Sequence, residues 1–332
     1  GTMSIFAPTL GSLWKQLEGY GIDPEPLFES EGIDPEWLFD PGVRIPLEKF
    51  QNLHQKALEL SGDSCFGLKS AHYSRPAHLG ALGFAWLASS SLRTAFQRLS
   101  RYAQVIQEKL LVELDEDDEF FYVRIDARID LPHKEVREDS QLSILTRFSR
   151  IIAGSDLTPA RVCFRQSEPE NTAFHYEFFR CPLEFNCDST MLVLHIEDVE
   201  RRLTGSNAEL AKLNEHIVIK YLAHSKKEDI VNQVKAAIID GLASGGVTEK
   251  SVAESLYMTP RNLHRKLQKE ETSFSLLLTE VRKDLALQYI QDRSKTLTEI
   301  SFLLGFSEVS SFSRAFKGWT GKPPSEARHD AA

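Results

Sequence analysis

Two stretches near the C-terminus repeat one pattern: MTPRNLHRKLQKEETSF from Met258, and GFSEVSSFSRAFKGWTGKPPSEAR from Gly305. At an offset of 49, Leu263 and Leu267 fall on Phe312 and Phe316, and Arg265 falls on Arg314. At about 100° per residue, Arg261, His264, Arg265 and Gln268 share one helix face, with Leu263 and Leu267 opposite. Ser310, Ser313, Arg314 and Lys317 repeat the polar face in the same phase. Upstream, Val252, Ala253 and Leu256 match Ile300, Ser301 and Leu304 at an offset of 48, so the second unit has one extra residue in its turn. Small Ala253 or Ser301 allows close crossing, while Thr259-Pro260 and Gly305 through Ser307 make the turns. Each unit therefore reads as helix, tight turn, helix, over about 249–269 and 297–318.

Such a helix pair suits the reading of DNA, with an ordinary helical bundle bearing solvated polar faces as the competing reading. The pair's second helix buries one stripe in its own domain and offers the other to a major groove. There Arg bonds guanine O6 and N7 in bidentate fashion, while Ser, His, Asn and Gln read other base edges. Lys269, Lys317 and Lys322 are placed for phosphates, which give affinity without sequence information. The intervening LLLTEVRKDLALQYIQD spans roughly 25 Å as a helix, at about 1.5 Å per residue. That approaches the roughly 34 Å between successive major-groove faces, so two reading helices fit one side of a duplex.

The formal charge of -9 opposes nucleic-acid binding only if it is evenly spread. Residues 225–332 hold 16 Lys+Arg against 14 Asp+Glu, whereas residues 1–224 hold 23 against 34. A mildly basic segment attached to an acidic body fits a nucleic-acid module joined to something else. The 332 residues suffice for two cores. No apolar run approaches the roughly 18–20 residues of a membrane span, and the first residues carry no basic head or apolar signal core. A cytoplasmic location is expected.

The rest of the chain reads as α+β. GIDPEPLF at Gly21 and GIDPEWLF at Gly32 look like two similar helix starts, with Asp as cap and Pro in the first turn. Leu47, Phe50, His54, Ala57 and Leu58 form a helical stripe, and two packed helices follow from Leu79. The period then drops to two in EKLLVEL and EFFYVRIDA, which flank Asp115 to Asp118 as a β-hairpin. A helix from about Glu135 to Ile152, strands at ARVCFRQ, CPLEFN and MLVLHI, and an aromatic helix containing Phe174, Phe178 and Phe179 complete the pattern. A further helix from Ser206 aligns Leu210, Leu213, Ile217 and Tyr221. It suits a partner chain, a core or a linker. The expected organisation is an α+β domain over 1–222, a linker over 223–228, and an all-α domain over 229–329 whose two helix-turn-helix units are joined by a long helix.

These residues resemble the DNA-binding domain of the AraC/XylS family of bacterial transcription regulators. The likeness is carried by Leu263-His264-Arg265-Lys266-Leu267, by Arg282, Ala286 and Ile290, and by Leu297-Thr298-Glu299-Ile300 with Gly305-Phe306. It continues in Phe312-Ser313-Arg314-Ala315-Phe316-Lys317, in Thr320-Gly321-Lys322-Pro323-Pro324-Ser325, and in Arg328. The resemblance implies DNA contacts from Arg261, His264 and Arg265, and from Val309, Ser310, Ser313 and Arg314. Asn262, Gln268, Lys269 and Lys317 share those faces. Ser301 stands where the family usually has alanine. Val309 stands where a polar residue is common, which implies a weaker or methyl-directed contact. HLGALGFAWLASSSLRTAFQRLSRY, from His78, and EFFRCPLEFN, from Glu177, resemble the subgroup with an arabinose-binding-type sensor domain. The implied partners are double-stranded DNA, a small-molecule effector, RNA polymerase and a second copy of the chain, and the implied role is commonly activation.

For the effector, His72, Tyr73, Arg75, His78, Trp86 and Tyr102 are the candidates, with a structural role for each as the competing reading. No cofactor, metal site or catalytic residue is expected. LGALG lacks the GxGxxG spacing of a nucleotide loop, and DEDD lacks a calcium-loop pattern. Cys65, Cys163, Cys181 and Cys187 form no CxxC and read as buried free thiols. The rival class is a DNA-repair protein that joins the same DNA-binding domain to a cysteine-dependent alkyl-transfer module. Its Pro-Cys-His-Arg segment is missing, Cys181-Pro182 running the other way. A ligand-independent regulator is the remaining alternative.

Overall fold

The computed structural model describes residues 3–128, 134–225 and 230–330. The chain forms two compact units, Gly1–Gly205 and Ser206–Ala332.

The first unit carries helices α1 (Leu10–Gly19), α2 (Pro24–Ser30), α3 (Leu47–Ser61), α4 (Phe66–Lys69), α5 (Ala81–Leu87), α6 (Leu92–Tyr102), α7 (Lys134–Ala153), α8 (Ala173–Phe179) and α9 (Ile196–Glu200). Strands β1 (Ser4–Phe6) and β2 (Arg44–Pro46) pair antiparallel. A five-stranded sheet has the order β3 (Leu111–Glu116), β4 (Phe120–Asp126), β7 (Thr190–His195), β5 (Arg161–Cys163), β6 (Leu183–Glu184). Only β5 and β6 run parallel in it. Strand β4, between β3 and β7, alternates strictly: Phe121, Val123 and Ile125 are buried, and Val123 sits between Leu114 and Leu192. Asp117 closes the hairpin by accepting from the amides of Glu119 and Phe120. Helix α6 packs here as its stripe predicts, with Leu92, Ala95, Phe96, Leu99 and Tyr102 buried and Trp86 edge-on to Phe96 at 5.0 Å.

The two GIDPE repeats start alike and end differently. Asp23 and Asp34 each accept from the amide two residues on, Glu25 and Glu36. The first continues as α2, whereas the second is a 3-10 turn over Pro35–Phe39, because the chain must bend at Asp40–Val43 to enter β2.

The second unit is helical: α10 (Ala208–Ser225), α11 (Ile230–Leu242), α12 (Glu249–Ser255), α13 (Pro260–Lys269), α14 (Phe274–Tyr289), α15 (Leu297–Leu303), α16 (Val309–Thr320) and α17 (Pro324–Asp330). Helix α10 belongs to this unit, not to the first, so the division falls at Gly205 rather than at 222. Its Ala211, Val218, Ile219 and Leu222 are buried. Glu215 accepts from Gln288 of α14 at 2.9 Å, and Lys295 reaches Glu209 at 2.7 Å. Of the expected linker, residues 223–225 complete α10 and residues 226–228 lie outside the described residues.

Candidate functional site

Two helix pairs, α12–α13 and α15–α16, precede and follow the long helix α14 in the chain. In the first, Thr248 caps α12 through the Ser251 amide and Thr259 caps α13 through the Asn262 amide, with Pro260 at the first helical position. The connecting turn bends at Tyr257, which adopts φ 56° and is almost wholly exposed. In the second, Gly305 occupies the matching position at φ 79°. A Cβ there would also meet the Leu242 carbonyl at 2.9 Å, so glycine is required twice over. The reversal itself is the same in both units. Met258 donates to the Ala253 carbonyl, and Phe306 donates to the Ser301 carbonyl, each at 3.0 Å. The extra residue of the second unit sits after that reversal, ahead of Glu308.

The helices present the expected faces. Leu263, Leu267, Phe312 and Phe316 have no exposed surface. Arg261, His264, Arg265, Gln268 and Lys269 are exposed on α13, with Asn262 half-buried. On α16, Ser310, Arg314 and Lys317 are exposed, and Val309 and Ser313 are half-buried. Asn262 accepts from the Arg265 guanidinium at 2.9 Å, which holds that fork in place on the face. His264 Nδ1 lies 3.7 Å from Glu249 at the start of α12. Ser310 donates to the Glu308 carboxylate at 3.2 Å. Lys322 is spent on Asp330, at 2.7 Å.

Two arginines of the sequence pattern prove to be structural. Arg282 of α14 donates to the carbonyls of Leu304 (2.9 Å) and Gly305 (3.3 Å), with its guanidinium 4.3 Å from the centre of the Phe306 ring. Arg328 donates to the carbonyls of Ile290 (3.0 Å) and Lys295 (2.7 Å), tying the end of α14 to α17. Ser301 does more than permit close crossing: its hydroxyl donates to the Glu308 carbonyl at 3.2 Å, bracing the turn from inside.

The family model described as the arabinose-binding domain of AraC transcription regulator, N-terminal, matches residues 21–203. A helix-turn-helix domain model matches residues 252–330. The chain belongs to the AraC family of transcription regulators. It is 29% identical over 311 residues to the ornithine utilization regulator of Pseudomonas aeruginosa, covering 93% of this chain and 91% of that one. It is 23% identical over 301 residues to the transcriptional regulator VirS of Mycobacterium tuberculosis, with 87% of each covered. The crystal structure of the transcriptional regulator CdpR from Pseudomonas aeruginosa shares its fold, with a TM-score of 0.52, 20% identity, and 96% of this chain and 98% of that chain covered. The AraC-family member described here is thus a DNA-binding transcription regulator with an N-terminal arabinose-binding-type domain.

That N-terminal domain holds a partly open cavity of about 150 Å³. Its wall is largely apolar, with Leu13, Phe50, Leu99, Ile144, Leu145 and Phe148 among the lining residues. Of the six candidate effector residues, the fold brings Arg75 and His78 to this cavity. His78 accepts at Nδ1 from the Arg75 amide at 3.1 Å, and burial, with Arg75 and Lys15 nearby, holds its pKa below the usual histidine value. The other four lie elsewhere. His72 is edge-on to Phe174 and Phe178. The Tyr73 ring lies against Gly19. Trp86 donates to the Phe148 carbonyl at 3.0 Å, and Tyr102 is buried in the core. Sequence reasoning missed Gln107, Arg137 and Gln141, which line the same cavity. The spacing of Arg137 and Gln141, one turn apart on a helix already legible in the pattern, was the available signal.

The cysteines are free thiols. Cys163 and Cys187 approach Glu184, the donor atoms lying within 4.8 Å of one another, but Arg161 also reaches that carboxylate, at 3.3 Å. Burial, with Cys187 and Glu184 nearby, pushes the Cys163 thiol up to about 12. Burial pushes Cys181 up to about 11. Among the described residues, no helix is long and apolar enough to cross a membrane.

Proposed function

We propose that this regulator reads promoter DNA through α13 and α16 together and activates transcription when a small molecule occupies the N-terminal cavity. The observation that carries the reading is the doubled polar face over a doubled, fully buried apolar stripe. Arg261, His264, Arg265 and Gln268 would meet base edges in one major groove, and Val309, Ser310, Ser313 and Arg314 would meet them in the next. Lys269 and Lys317 would bind phosphates. The Arg265 fork, steadied by Asn262, suits bidentate guanine recognition.

Effector binding would act by population shift, favouring the DNA-competent state by as much as its affinities for the two states differ. Leu210, Leu213 and Ile217 stay exposed along one face of α10, which supports pairing with a second copy. Contact with RNA polymerase at a promoter in the bacterial cytoplasm follows from the family role. A non-catalytic reading is supported by the raised thiols of Cys163 and Cys181, since an alkyl-accepting cysteine works as a thiolate.

The test is selection of genomic fragments by the purified protein at two salt concentrations, with and without pooled small metabolites. Enrichment of a few promoter fragments that survives the higher salt and changes with metabolites supports the reading. Uniform, salt-sensitive binding that metabolites leave unchanged refutes it.

A further inference from the structure

Resting on the effector reading above, we infer that the N-terminal cavity takes a small organic carboxylate, gripped by Nη1 of Arg137 and Nε2 of Gln107. The argument begins with three buried polar atoms. Arg137 Nη1, Gln107 Nε2 and Gln141 Oε1 have no hydrogen-bond partner among the described residues, and all three side chains line this one cavity. Buried polar atoms are rarely left so, and three of them on side chains that line one cavity point to a missing polar occupant.

Their orientation is fixed. The second guanidinium nitrogen, Nη2, donates to Gln107 Oε1 at 2.6 Å. Because a guanidinium only donates, the glutamine must turn its oxygen to Arg137, which leaves its NH₂ without a partner. Two unspent donors, one of them cationic, therefore flank a single hydrogen bond. The Arg137 guanidinium also lies 4.6 Å from the centre of the Phe50 ring, which holds its plane.

The charge is uncompensated. Burial alone pushes Arg137 down to about 10, with no carboxylate acting against it, and it remains a cation at neutral pH. The adjacent acids on α7 are engaged elsewhere, Glu138 with Arg165 and Asp139 with Gln166. Arg150 on the same helix shows the contrasting, structural use, donating from all three nitrogens to the carbonyls of Leu157, Phe178 and Phe179. A buried cation with an empty donor asks for an anion.

Size and polarity choose among anions. A cavity of about 150 Å³ is comparable to one that holds benzene, so a ligand of roughly six to nine non-hydrogen atoms fits it. Two free donors match the two oxygens of a carboxylate, whereas a phosphate presents more oxygens and more charge than they can satisfy. The largely apolar wall takes an aliphatic or aromatic remainder. Gln141 Oε1 is an acceptor one helical turn along α7, so a hydroxyl or N–H on the ligand adds affinity.

Calorimetry and thermal melting of the full chain test this with matched pairs: hexanoate against 1-hexanol, and benzoate against benzyl alcohol. The acid of at least one pair is expected to bind about tenfold or more tightly than its alcohol and to raise Tm. Arg137→Met is expected to erase that preference, a cooperative melt of the unliganded variant showing that it is still folded. Gln107→Leu weakens the preference through the second donor. Equal binding of acid and alcohol, acid binding that persists in Arg137→Met, or binding of neither member of either pair overturns the inference. If alcohols bind equally well and still change occupancy of the selected genomic fragments, the carboxylate assignment falls and the effector reading stands. If acids bind through Arg137 without changing that occupancy, the effector reading falls and the site stands.

Discussion

Arg282 offers the sharpest test of how the second reading helix is held. Its guanidinium joins α14 to the turn that precedes α16 through two backbone carbonyls and the face of Phe306. Replacing it with alanine leaves the Leu304 and Gly305 carbonyls without this donor, at about 1 kcal/mol each. Loss of the cation–π contact adds about 0.5–1 kcal/mol. The side chain is only half-buried, so water recovers part of this, and a net loss of about 2 kcal/mol remains. For a unit of this size that lowers Tm by roughly 6–10 °C. Arg282→Lys keeps the charge but not the fork, and is expected to restore less than half of the loss. Urea unfolding of the full chain, followed by hydrogen exchange at the amides of 300–318, reads both effects. Faster exchange there is expected in Arg282→Ala, with the amides of α13 little changed. An unchanged midpoint, or full rescue by lysine, would refute the clamp.

Three further outcomes follow from single residues. Tyr257→Gly should stabilise the protein by about 0.5–1 kcal/mol, because glycine relieves the left-handed backbone and no packing is lost at an exposed site; a lower urea midpoint would count against this. Ser301→Ala should cost about 1 kcal/mol or less by losing one hydroxyl bond, while Ser301→Leu should cost about 3 kcal/mol or more by wedging the crossing open. Comparable losses in the two variants would contradict the close packing. Burial holds His175 below its usual pKa, so the folded state favours the neutral ring. Its contribution is therefore complete above the ordinary value of about 6.5 and is lost as pH falls through the depressed folded value. Urea midpoints should drop between neutral and mildly acidic pH, and His175→Gln should flatten that dependence; an unchanged slope would exclude His175 as a source.

The double helix-turn-helix was legible because its evidence is local. Leu263, Leu267, Phe312 and Phe316 repeat within single helices, and periodicity reports single helices well. The hairpin around Asp117 was legible for the same reason. Helix α10 misled because it is apolar on two sides. The line Leu210, Leu213, Ile217 and Tyr221 is its more open face, while the buried face runs through Ala211, Val218, Ile219 and Leu222. A stripe tells that a face is apolar, not which neighbour covers it. The cavity was illegible for another reason. Gln107 and Arg137 stand 30 residues apart and meet only through the tertiary fold. Arg75 and His78 reached the cavity from the sequence cluster, whereas Trp86 donates to the carbonyl of Phe148, itself a lining residue.

The most direct measurement is base-by-base interference footprinting of an enriched promoter fragment with wild type, Arg265→Ala and Arg314→Ala. Two major-groove segments about 10 bp apart should appear, on one side of the duplex. Arg265→Ala should erase a guanine contact in one segment only, and Arg314→Ala in the other only. Each should cost about 1–3 kcal/mol at the site and much less on random DNA. A single protected segment, or loss that is equal on random DNA, would contradict reading by two helices.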